Sequence, residues 1–314
     1  MSILFAAPGW DAAAWRARLG ALLPSRPVLA LGEPFDPEAV RYALSWAHPP
    51  GALEGLPNLE VIFSLGAGVD HLFADPFLPE RPIVRVVDAD LRNRMSEWVV
   101  MHALIHLRRL RLCERQQRER VWTQDFEQPK AGEVHIGVLG LGVLGGDAAM
   151  KLDALGFPAA GWSSSPKSVP GVACYSGADG LDALLGQTDI LVVLLPLTEA
   201  TRRIIDASLI AKLKPNGRLG GPVLINAGRG GLQVEADIIA ALDEGRLRGA
   251  SLDVFETEPL PKDSPLWAHP DVYVSPHNAA ISAPGAIAAA IARRIEAHER
   301  GESLENVVDR KRGY

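Results

Sequence analysis

The chain has 314 residues, of which 47% are hydrophobic and 22% are charged, and its formal net charge is −6. This length predicts two domains, and the composition is typical of a globular protein. The negative charge argues against a nucleic-acid-binding protein, and no stretch approaches the ~18 apolar residues that a membrane-spanning helix needs.

The two cysteines, Cys113 and Cys174, are too few and too far apart for a disulfide framework or a C-x-x-C metal pair. The first ten residues, MSILFAAPGW, lack the basic region and the long apolar run of a signal peptide. We therefore expect a cytoplasmic protein that has no metal site and binds neither membranes nor nucleic acid.

The first 97 residues read as a small α/β unit. Apolar runs at 2–6, 61–65 and 83–87 predict strands, and residues 12–23 predict a helix. This alternation favours a parallel sheet. A further apolar run at 42–47 contains Trp46 and stops at the breaker His48-Pro49-Pro50-Gly51.

A small-residue turn, Gly66-Ala67-Gly68, follows the predicted strand at 61–65. Small side chains leave the N–H groups of such a turn unshielded, so the turn could bind an anion. It could equally be an ordinary connection, and the motif alone favours that simpler interpretation.

Residues 94–120 contain neither Gly nor Pro and carry an apolar stripe, which predicts one helix roughly 40 Å long. The six arginines between 108 and 120 are expected to form its solvated face rather than a nucleic-acid patch. So long a helix would link two domains or contact a second subunit.

The strongest motif lies at 134–155. An apolar run precedes Gly140, Gly142 and Gly145 in the spacing G-x-G-x-x-G, and a helical pattern follows. Strand, glycine turn and helix in this order predict a dinucleotide-binding site, in which the helix N-terminus faces the pyrophosphate.

The segment after the second strand of this unit bears on the choice of cofactor. NAD-binding proteins usually place an acidic residue there for the ribose 2′-hydroxyl. The chain instead has Ser163, Ser164, Ser165 and Lys167. Hydroxyls and a positive charge suit a 2′-phosphate, so the sequence favours NADP, with NAD as the alternative.

Polar side chains follow the later predicted strands at 223–226, 249–254 and 272–275. Ligands of open parallel sheets bind beyond the carboxyl ends of the strands. Four side chains are expected at or just past those ends: Arg229, Asp253, Glu258 and His277. A lone arginine is usually a surface residue and a lone histidine usually structural, but the shared position of these residues favours one active site.

Together the motifs resemble those of the D-isomer-specific 2-hydroxyacid dehydrogenases, and within them the glyoxylate/hydroxypyruvate reductase A branch. The motifs that carry the resemblance run along most of the chain: SLGAGVD at 64–70, the Gly140 fingerprint, LPLT at 195–198, INAGRG at 225–230, LDVFETEPL at 252–260 and SPH at 275–277.

The resemblance implies an α/β fold of two doubly wound parallel-sheet domains, in which a Rossmann cofactor domain is inserted into a flavodoxin-like substrate domain. The expected substrate domain comprises residues 1–97 and 287–314, and the cofactor domain comprises 98–286. The resemblance also implies a homodimer.

The implied reaction reduces a small 2-oxo acid, such as glyoxylate or hydroxypyruvate, to the D-2-hydroxy acid by hydride transfer from NADPH. His277 would be the general acid, Glu258 would orient it, and Arg229 would bind the substrate carboxylate. Trp46, Ala67 and Gly68 would also contact the substrate.

Asp253 would hydrogen-bond the nicotinamide carboxamide. The full set implied to bind the cofactor is Gly140, Gly142, Val143, Leu144, Gly145, Ser163, Ser164, Ser165, Lys167, Leu195, Pro196, Ala227, Gly228, Asp253 and His277.

Two departures from the family pattern stand out. The segment 214–222 is longer than the usual turn and reads as a surface loop, and Ser164 stands where NADP-using relatives often have arginine. Two other functions stay open: an NAD-linked dehydrogenase for a bulkier 2-hydroxy acid, and a nucleotide-sensing binding protein of the kind that some relatives use in transcriptional repression.

Overall fold

The computed structural model describes residues 1–314. The chain divides into two compact units, which we call the terminal unit (Met1–Leu91 and Ser282–Tyr314) and the central unit (Arg92–Ile281). These boundaries lie five or six residues before the sequence-based ones at 97/98 and 286/287.

Each unit contains one fully parallel sheet. The strands of the terminal unit are β1 (Ser2–Ala6), β2 (Val28–Ala30), β3 (Val40–Ser45), β4 (Val61–Ser64) and β5 (Ile83–Arg85). Those of the central unit are β6 (Ile136–Leu139), β7 (Ala159–Ser163), β8 (Ala173–Ser176), β9 (Ile190–Val193), β10 (Val223–Asn226), β11 (Gly249–Leu252) and β12 (Val272–Val274).

The strand orders confirm the predicted fold class. The terminal sheet has the order β2-β1-β3-β4-β5, which is that of flavodoxin-like folds. The central sheet has the order β12-β11-β10-β9-β6-β7-β8. Its strand order reverses between β6 and β9, the switch point at which a doubly wound sheet binds its ligand.

The chain has nine α-helices, of which the last follows the final strand: α1 (Ala12–Leu22), α2 (Asp70–Phe73), α3 (Ala89–Leu107), α4 (Leu110–Glu119), α5 (Val143–Ala154), α6 (Gly177–Leu185), α7 (Ala207–Ala211), α8 (Glu235–Asp243) and α9 (Pro284–Glu299). None of these helices is long and apolar enough to cross a membrane.

The inner strands β6, β9, β10 and β11 of the central sheet are buried along their whole length, and their sequences are mostly apolar. In β9, Leu191 and Val193 belong to one apolar layer, whereas Ile190 and Val192 belong to the other. Successive side chains of a strand point to opposite faces, so a continuous apolar run fills both layers.

The prediction of a single helix over 94–120 is wrong. Helix α3 ends at Leu107 and α4 begins at Leu110, with Arg109 in the left-handed conformation at φ 53°. Tertiary contacts accompany the break. Arg109 pairs with Asp125 at 2.6 Å, and the Arg111 guanidinium stacks 3.7 Å above the ring of Tyr273. At least two of the arginines are therefore bound within the protein rather than fully solvated.

Candidate active site

The glycine fingerprint forms the turn between β6 and α5. Gly140 has φ +103°, and a Cβ atom on it would lie 2.7 Å from the Leu194 carbonyl oxygen. A Cβ atom on Gly145 would lie 1.8 Å from the Gly140 carbonyl oxygen. Both glycines are therefore required by close backbone contacts, as the fingerprint predicts.

Gly142 differs, because no atom beyond its own two chain neighbours lies within 4 Å of the place that its Cβ would occupy. It caps α5 without a side-chain hydrogen bond, and the next residue, Val143, is about half exposed. Open space in front of unpaired N–H groups at a helix N-terminus suits a pyrophosphate. These residues therefore fit the dinucleotide that the sequence predicts, and Leu144 lies in the same first turn.

The segment after β7 contains the predicted 2′-phosphate residues. The Ser163 hydroxyl is turned into its own loop, where it donates to the Ser165 carbonyl oxygen at 2.7 Å. Ser164 and Lys167 are exposed, and Lys167 forms no salt bridge. The ammonium group of Lys167 is therefore available to an anion, and no acidic side chain occurs between 163 and 168 to repel one.

Two further predicted cofactor loops follow β9 and β10, which are neighbours in the sheet. The Ala227 N–H donates to the Val193 carbonyl oxygen at 3.3 Å. The loop after β10 therefore begins beside the loop after β9. The hydroxyl of Thr201 donates to the Pro196 carbonyl oxygen at 2.7 Å and holds the Leu195-Pro196 turn.

A buried amide pair that the sequence analysis missed supports the loop of Arg229. The Asn226 side-chain amide donates to Gln233 Oε1 at 2.8 Å, and its oxygen accepts from the Gly228 N–H at 3.0 Å. Gln233 in turn donates to the Val254 carbonyl oxygen at 3.0 Å. Both amides are fully buried. This network joins the end of β10 to the segment after β11, and the Arg229 loop lies between them.

Arg229 itself is partly buried, and its Nη1 donates to the Gly228 carbonyl oxygen at 2.9 Å. At the next residue, Gly230, the backbone of the arginine loop lies very close to the backbone of Phe255. A Cβ atom on Gly230 would lie 1.8 Å from the Phe255 carbonyl oxygen. The arginine loop is thereby packed against the segment that leads to Glu258.

His277 and Glu258 form a hydrogen-bonded pair, as the sequence analysis expected. Nδ1 of His277 lies 2.7 Å from Oε2 of Glu258, and Glu258 Oε1 accepts from the Phe255 N–H at 3.0 Å. The two side chains are 40% and 35% exposed, so the pair is open to solvent. Nε2 of His277 makes no hydrogen bond within the protein and is available to a substrate.

Burial acts to raise the pKa of Glu258, but the hydrogen bonds from His277 and the Phe255 N–H outweigh it. The positive charges of His277 and Arg229 act in the same direction, and the net pKa lies below the ordinary value of 4.5. Glu258 is therefore a carboxylate at neutral pH. Arg229 lies close enough for its positive charge to contribute to the lowered pKa of Glu258.

Asp253 is engaged with the loop that carries His277. Its Oδ1 accepts from the Ser275 hydroxyl at 2.6 Å and from the Asn278 N–H at 3.0 Å, and its Oδ2 accepts from the Ala279 N–H at 2.9 Å. Burial raises the pKa of Asp253 above its ordinary value, although these bonds and His277 oppose the shift. Asp253 thus holds the 275–279 loop in place, a contact that sequence reasoning did not foresee.

In the terminal unit, the predicted anion turn has the required free donors. The N–H groups of Ala67 and Gly68 make no hydrogen bond within the protein, and both residues are only partly buried. The Ser64 hydroxyl donates to the Gly68 carbonyl oxygen at 2.9 Å and braces the turn. This geometry favours the anion-binding interpretation over an ordinary connection.

Trp46 lies against this turn. A Cβ atom on Gly66 would be 2.7 Å from Cζ3 of Trp46, so the indole packs directly on the glycine backbone. The ring of His71 covers the indole at a centroid distance of 4.4 Å. The terminal unit therefore brings Trp46 together with Ala67 and Gly68, as the substrate prediction requires.

Comparison with known proteins decides the family. The model of the NAD-binding domain of D-isomer specific 2-hydroxyacid dehydrogenases matches residues 100–279. The glyoxylate/hydroxypyruvate reductase A of Citrobacter koseri is 40% identical over the full length of both chains. The chain belongs to the D-isomer-specific 2-hydroxyacid dehydrogenases. It is therefore an oxidoreductase of the NAD(P)-dependent 2-hydroxyacid dehydrogenase class.

Solved structures of relatives agree over nearly the whole chain. The NADPH-dependent glyoxylate/hydroxypyruvate reductase of Sinorhizobium meliloti, solved with NADP and sulfate, is 47% identical with a TM-score of 0.93 and covers 100% of this chain and 99% of its own. A 2-hydroxyacid dehydrogenase of Rhizobium etli, described as probable and solved with NADP, HEPES and L(+)-tartaric acid, is 45% identical with a TM-score of 0.94 and the same coverage. These matches confirm both the predicted family and the two-domain α/β fold.

Proposed function

We propose that this family member reduces small 2-oxo acids, with glyoxylate and hydroxypyruvate as the main substrates, to D-2-hydroxy acids with NADPH. The observation that carries the proposal is the pairing of His277 with Glu258 at 2.7 Å, beside the loop of Arg229. This is the arrangement that a carbonyl reductase needs: a proton donor, a carboxylate that orients it and a cation for the substrate. Similarity to the reductases of Citrobacter koseri and Sinorhizobium meliloti supports the choice of substrates.

Bound NADPH would supply a hydride to the keto carbon. Nε2 of His277 is the group that would donate a proton to the carbonyl oxygen, because its Nδ1 is occupied by Glu258. The Glu258 carboxylate accepts a hydrogen bond from Nδ1 and so fixes the plane of the ring. In our proposal Asp253 positions this histidine through the 275–279 loop, and its carboxylate also contacts the nicotinamide amide.

Two groups would bind the substrate carboxylate. The Arg229 guanidinium offers a planar pair of donors that matches a carboxylate, and it also stabilises charge that develops on the carbonyl oxygen. In the terminal unit, the free N–H groups of Ala67 and Gly68 offer further donors. Trp46, which packs against that turn, would limit the size of the side chain on the 2-oxo acid.

The chain uses NADP(H) in preference to NAD(H). Close relatives were solved with NADP or NADPH, including one from Xanthobacter autotrophicus that is 40% identical over the full chain. The chain has no acidic residue after β7 and carries the unpaired Lys167 there. We propose that Lys167 and the hydroxyls of Ser163–Ser165 contact the 2′-phosphate, and that Gly140–Gly145 holds the pyrophosphate.

A substrate panel tests the function. We expect NADPH to be oxidised with glyoxylate and hydroxypyruvate, and kcat/KM to be at least about tenfold lower with NADH, which corresponds to about 1.4 kcal/mol. Pyruvate, phenylpyruvate and 2-ketogluconate complete the panel, and chiral analysis of the hydroxypyruvate product tests the D configuration. A preference for NADH with phenylpyruvate would favour the NAD-linked alternative. The absence of NADPH oxidation with every acid would favour a nucleotide-sensing protein.

Lys167→Glu tests the cofactor contact. We expect it to raise KM for NADPH by about tenfold or more, because a carboxylate near the 2′-phosphate replaces attraction with repulsion, while KM for NADH changes little. Lys130→Glu is the matched control, since Lys130 is an exposed lysine of the same unit that precedes the central sheet. Equal effects on the two cofactors would contradict a role for Lys167 at the 2′-phosphate.

We also propose a homodimer that forms through the central unit. The exposed large apolar side chains of this unit include Trp122 and Phe126, which are 91% and 84% exposed, and Met101, Leu104 and Leu110 on α3 and α4. Large apolar side chains exposed to solvent are typical of interaction sites when they lie together. Light scattering measures the assembly directly.

Cys113 and Cys174 are unpaired, which supports our proposal of a cytoplasmic location.

A further inference from the structure

A second polar network lies in the terminal unit, outside the catalytic groups described above. Nδ1 of His48 lies 2.5 Å from the hydroxyl of Ser45, and its Nε2 lies 3.0 Å from Oδ2 of Asp75. The three residues are almost completely buried, with exposed fractions of 0%, 6% and 4% for Ser45, His48 and Asp75. The serine hydroxyl is inaccessible, so the network is not a nucleophilic site.

The carboxylate of Asp75 is anchored on its other side to backbone. Its oxygens accept from the Gly51 N–H at 3.0 and 3.1 Å, and Oδ1 also accepts from the Phe77 N–H at 2.9 Å. Burial acts to raise the pKa of Asp75, but these bonds and the one to His48 bring it below its ordinary value. A serine hydroxyl can donate or accept, so both bonds of His48 persist whether the imidazole is neutral or protonated.

This network brackets the loop that carries Trp46. Ser45 ends β3 and His48 lies three residues later, so Trp46 and Ala47 are held between two fixed points. Ala47 has φ +47°, a left-handed conformation that is uncommon for alanine and needs support from its surroundings. A buried network whose polar groups are all hydrogen-bonded is rigid. We infer that the network therefore also orients the Trp46 side chain.

We propose that His48, held between Ser45 and Asp75, is a positioning residue that sets the place of the Trp46 indole and thereby the size of 2-oxo acid that the enzyme accepts. The inference rests on the proposed function, in which Trp46 limits the substrate beside the Ala67-Gly68 turn. The indole already contacts the backbone of Gly66, so it cannot move closer to the turn. We therefore expect loss of the network to let the indole move away from the turn, which would enlarge the space for the substrate.

His48→Leu removes both hydrogen bonds and tests the proposal. We expect KM for glyoxylate to rise about tenfold with kcat within about threefold, because the chemical groups are untouched and only substrate positioning is lost. The ratio of kcat/KM for phenylpyruvate to that for glyoxylate should rise about tenfold, a value within the range for one or two methylene groups in a pocket. His48→Gln keeps a donor for Asp75 and should restore both quantities to within about threefold of the parent enzyme.

The control is His298→Gln, since His298 is a histidine of the same unit that hydrogen-bonds to Tyr42 at 3.1 Å and not to the Trp46 loop. It should leave the substrate ratio unchanged. If His48→Leu does not fold, as judged by its thermal transition, Ser45→Ala replaces it, and a shift of about threefold in the same direction is expected.

Trp46→Ala separates the two levels of the inference. The positioning role of His48 would be overturned if Trp46→Ala changed the ratio of kcat/KM for phenylpyruvate to that for glyoxylate while His48→Leu kept the ratio of the parent enzyme. Where Ser45→Ala replaces His48→Leu, the same criterion applies to Ser45→Ala. A parental ratio in Trp46→Ala would overturn the role of the indole itself, and with it this inference. The proposed reductase activity is judged separately, from NADPH oxidation by the parent enzyme.

Discussion

Replacing His277 with alanine is expected to lower kcat/KM for the reduction of glyoxylate by about a thousandfold, within the usual range for loss of a general acid. The reason is that Nε2 of His277, with its Nδ1 paired to Glu258, is the donor we assign to the carbonyl oxygen. KM for NADPH should change much less, because His277 is only one of the residues proposed to contact the cofactor and those proposed to bind its phosphates are elsewhere in the central unit. Steady-state kinetics with both substrates varied would measure this.

Glu258→Gln gives a second readout of the same pair. The substitution removes the carboxylate that holds Nδ1 of His277, so kcat/KM for glyoxylate should fall by about tenfold or more because the proton donor is no longer held in one orientation. His135→Gln is the control, because His135 is a half-exposed histidine just before β6, at the amino end of the sheet. Near-parental kcat/KM in His277→Ala would refute its role as the proton donor.

The second large effect is expected at Arg229. Arg229→Ala should lower kcat/KM for glyoxylate by about a hundredfold or more, because both the carboxylate contact and the stabilisation of the carbonyl oxygen are lost. Arg229→Lys should recover only a small part, since an ammonium cannot make the paired contacts of a guanidinium. Stopped-flow or steady-state NADPH oxidation measures both variants.

Arg246→Ala serves as the control for these two variants. Arg246 is a surface arginine of the same unit that pairs with Glu244 at 2.6 Å just after α8. It should change kcat/KM by less than about twofold, as is usual for surface substitutions. If Arg229→Ala behaved like Arg246→Ala, the carboxylate would have to be bound by other groups, and the N–H donors of the 66–68 turn would become the first candidates.

Most of the fold was predictable from local sequence. Sequence patterns placed β10, β11 and β12 close to their observed bounds, and β10 was predicted with the bounds that it has, Val223–Asn226. The weak elements β2, β8 and α7 were not predicted, because none exceeds five residues and β8 is only partly buried, so their sequences lack a clear period.

The candidate site was predictable for a different reason. Side chains that follow parallel strands collect at one edge of the sheet, so the positions of Arg229, Glu258 and His277 in the chain already implied that they meet. The supporting residues were not predictable in this way. Their roles depend on hydrogen bonds that only the folded structure shows. Asn226 and Gln233 join β10 to the segment after β11, and Asp253 holds the 275–279 loop in place.

The sequence by itself determined three features of this protein. Local periodicity predicted the class of fold, the spacing of the glycines predicted the dinucleotide turn, and the positions of polar residues after the predicted strands indicated the chemical groups. The tertiary structure alone decided where the helix at 94–120 breaks and how the His277 loop is held. It also showed that Ser45 and His48, on either side of Trp46 in the chain, are hydrogen-bonded to each other, and that Asp75 anchors His48. These features depend on buried hydrogen bonds and ring contacts whose partners are brought together only when the chain folds.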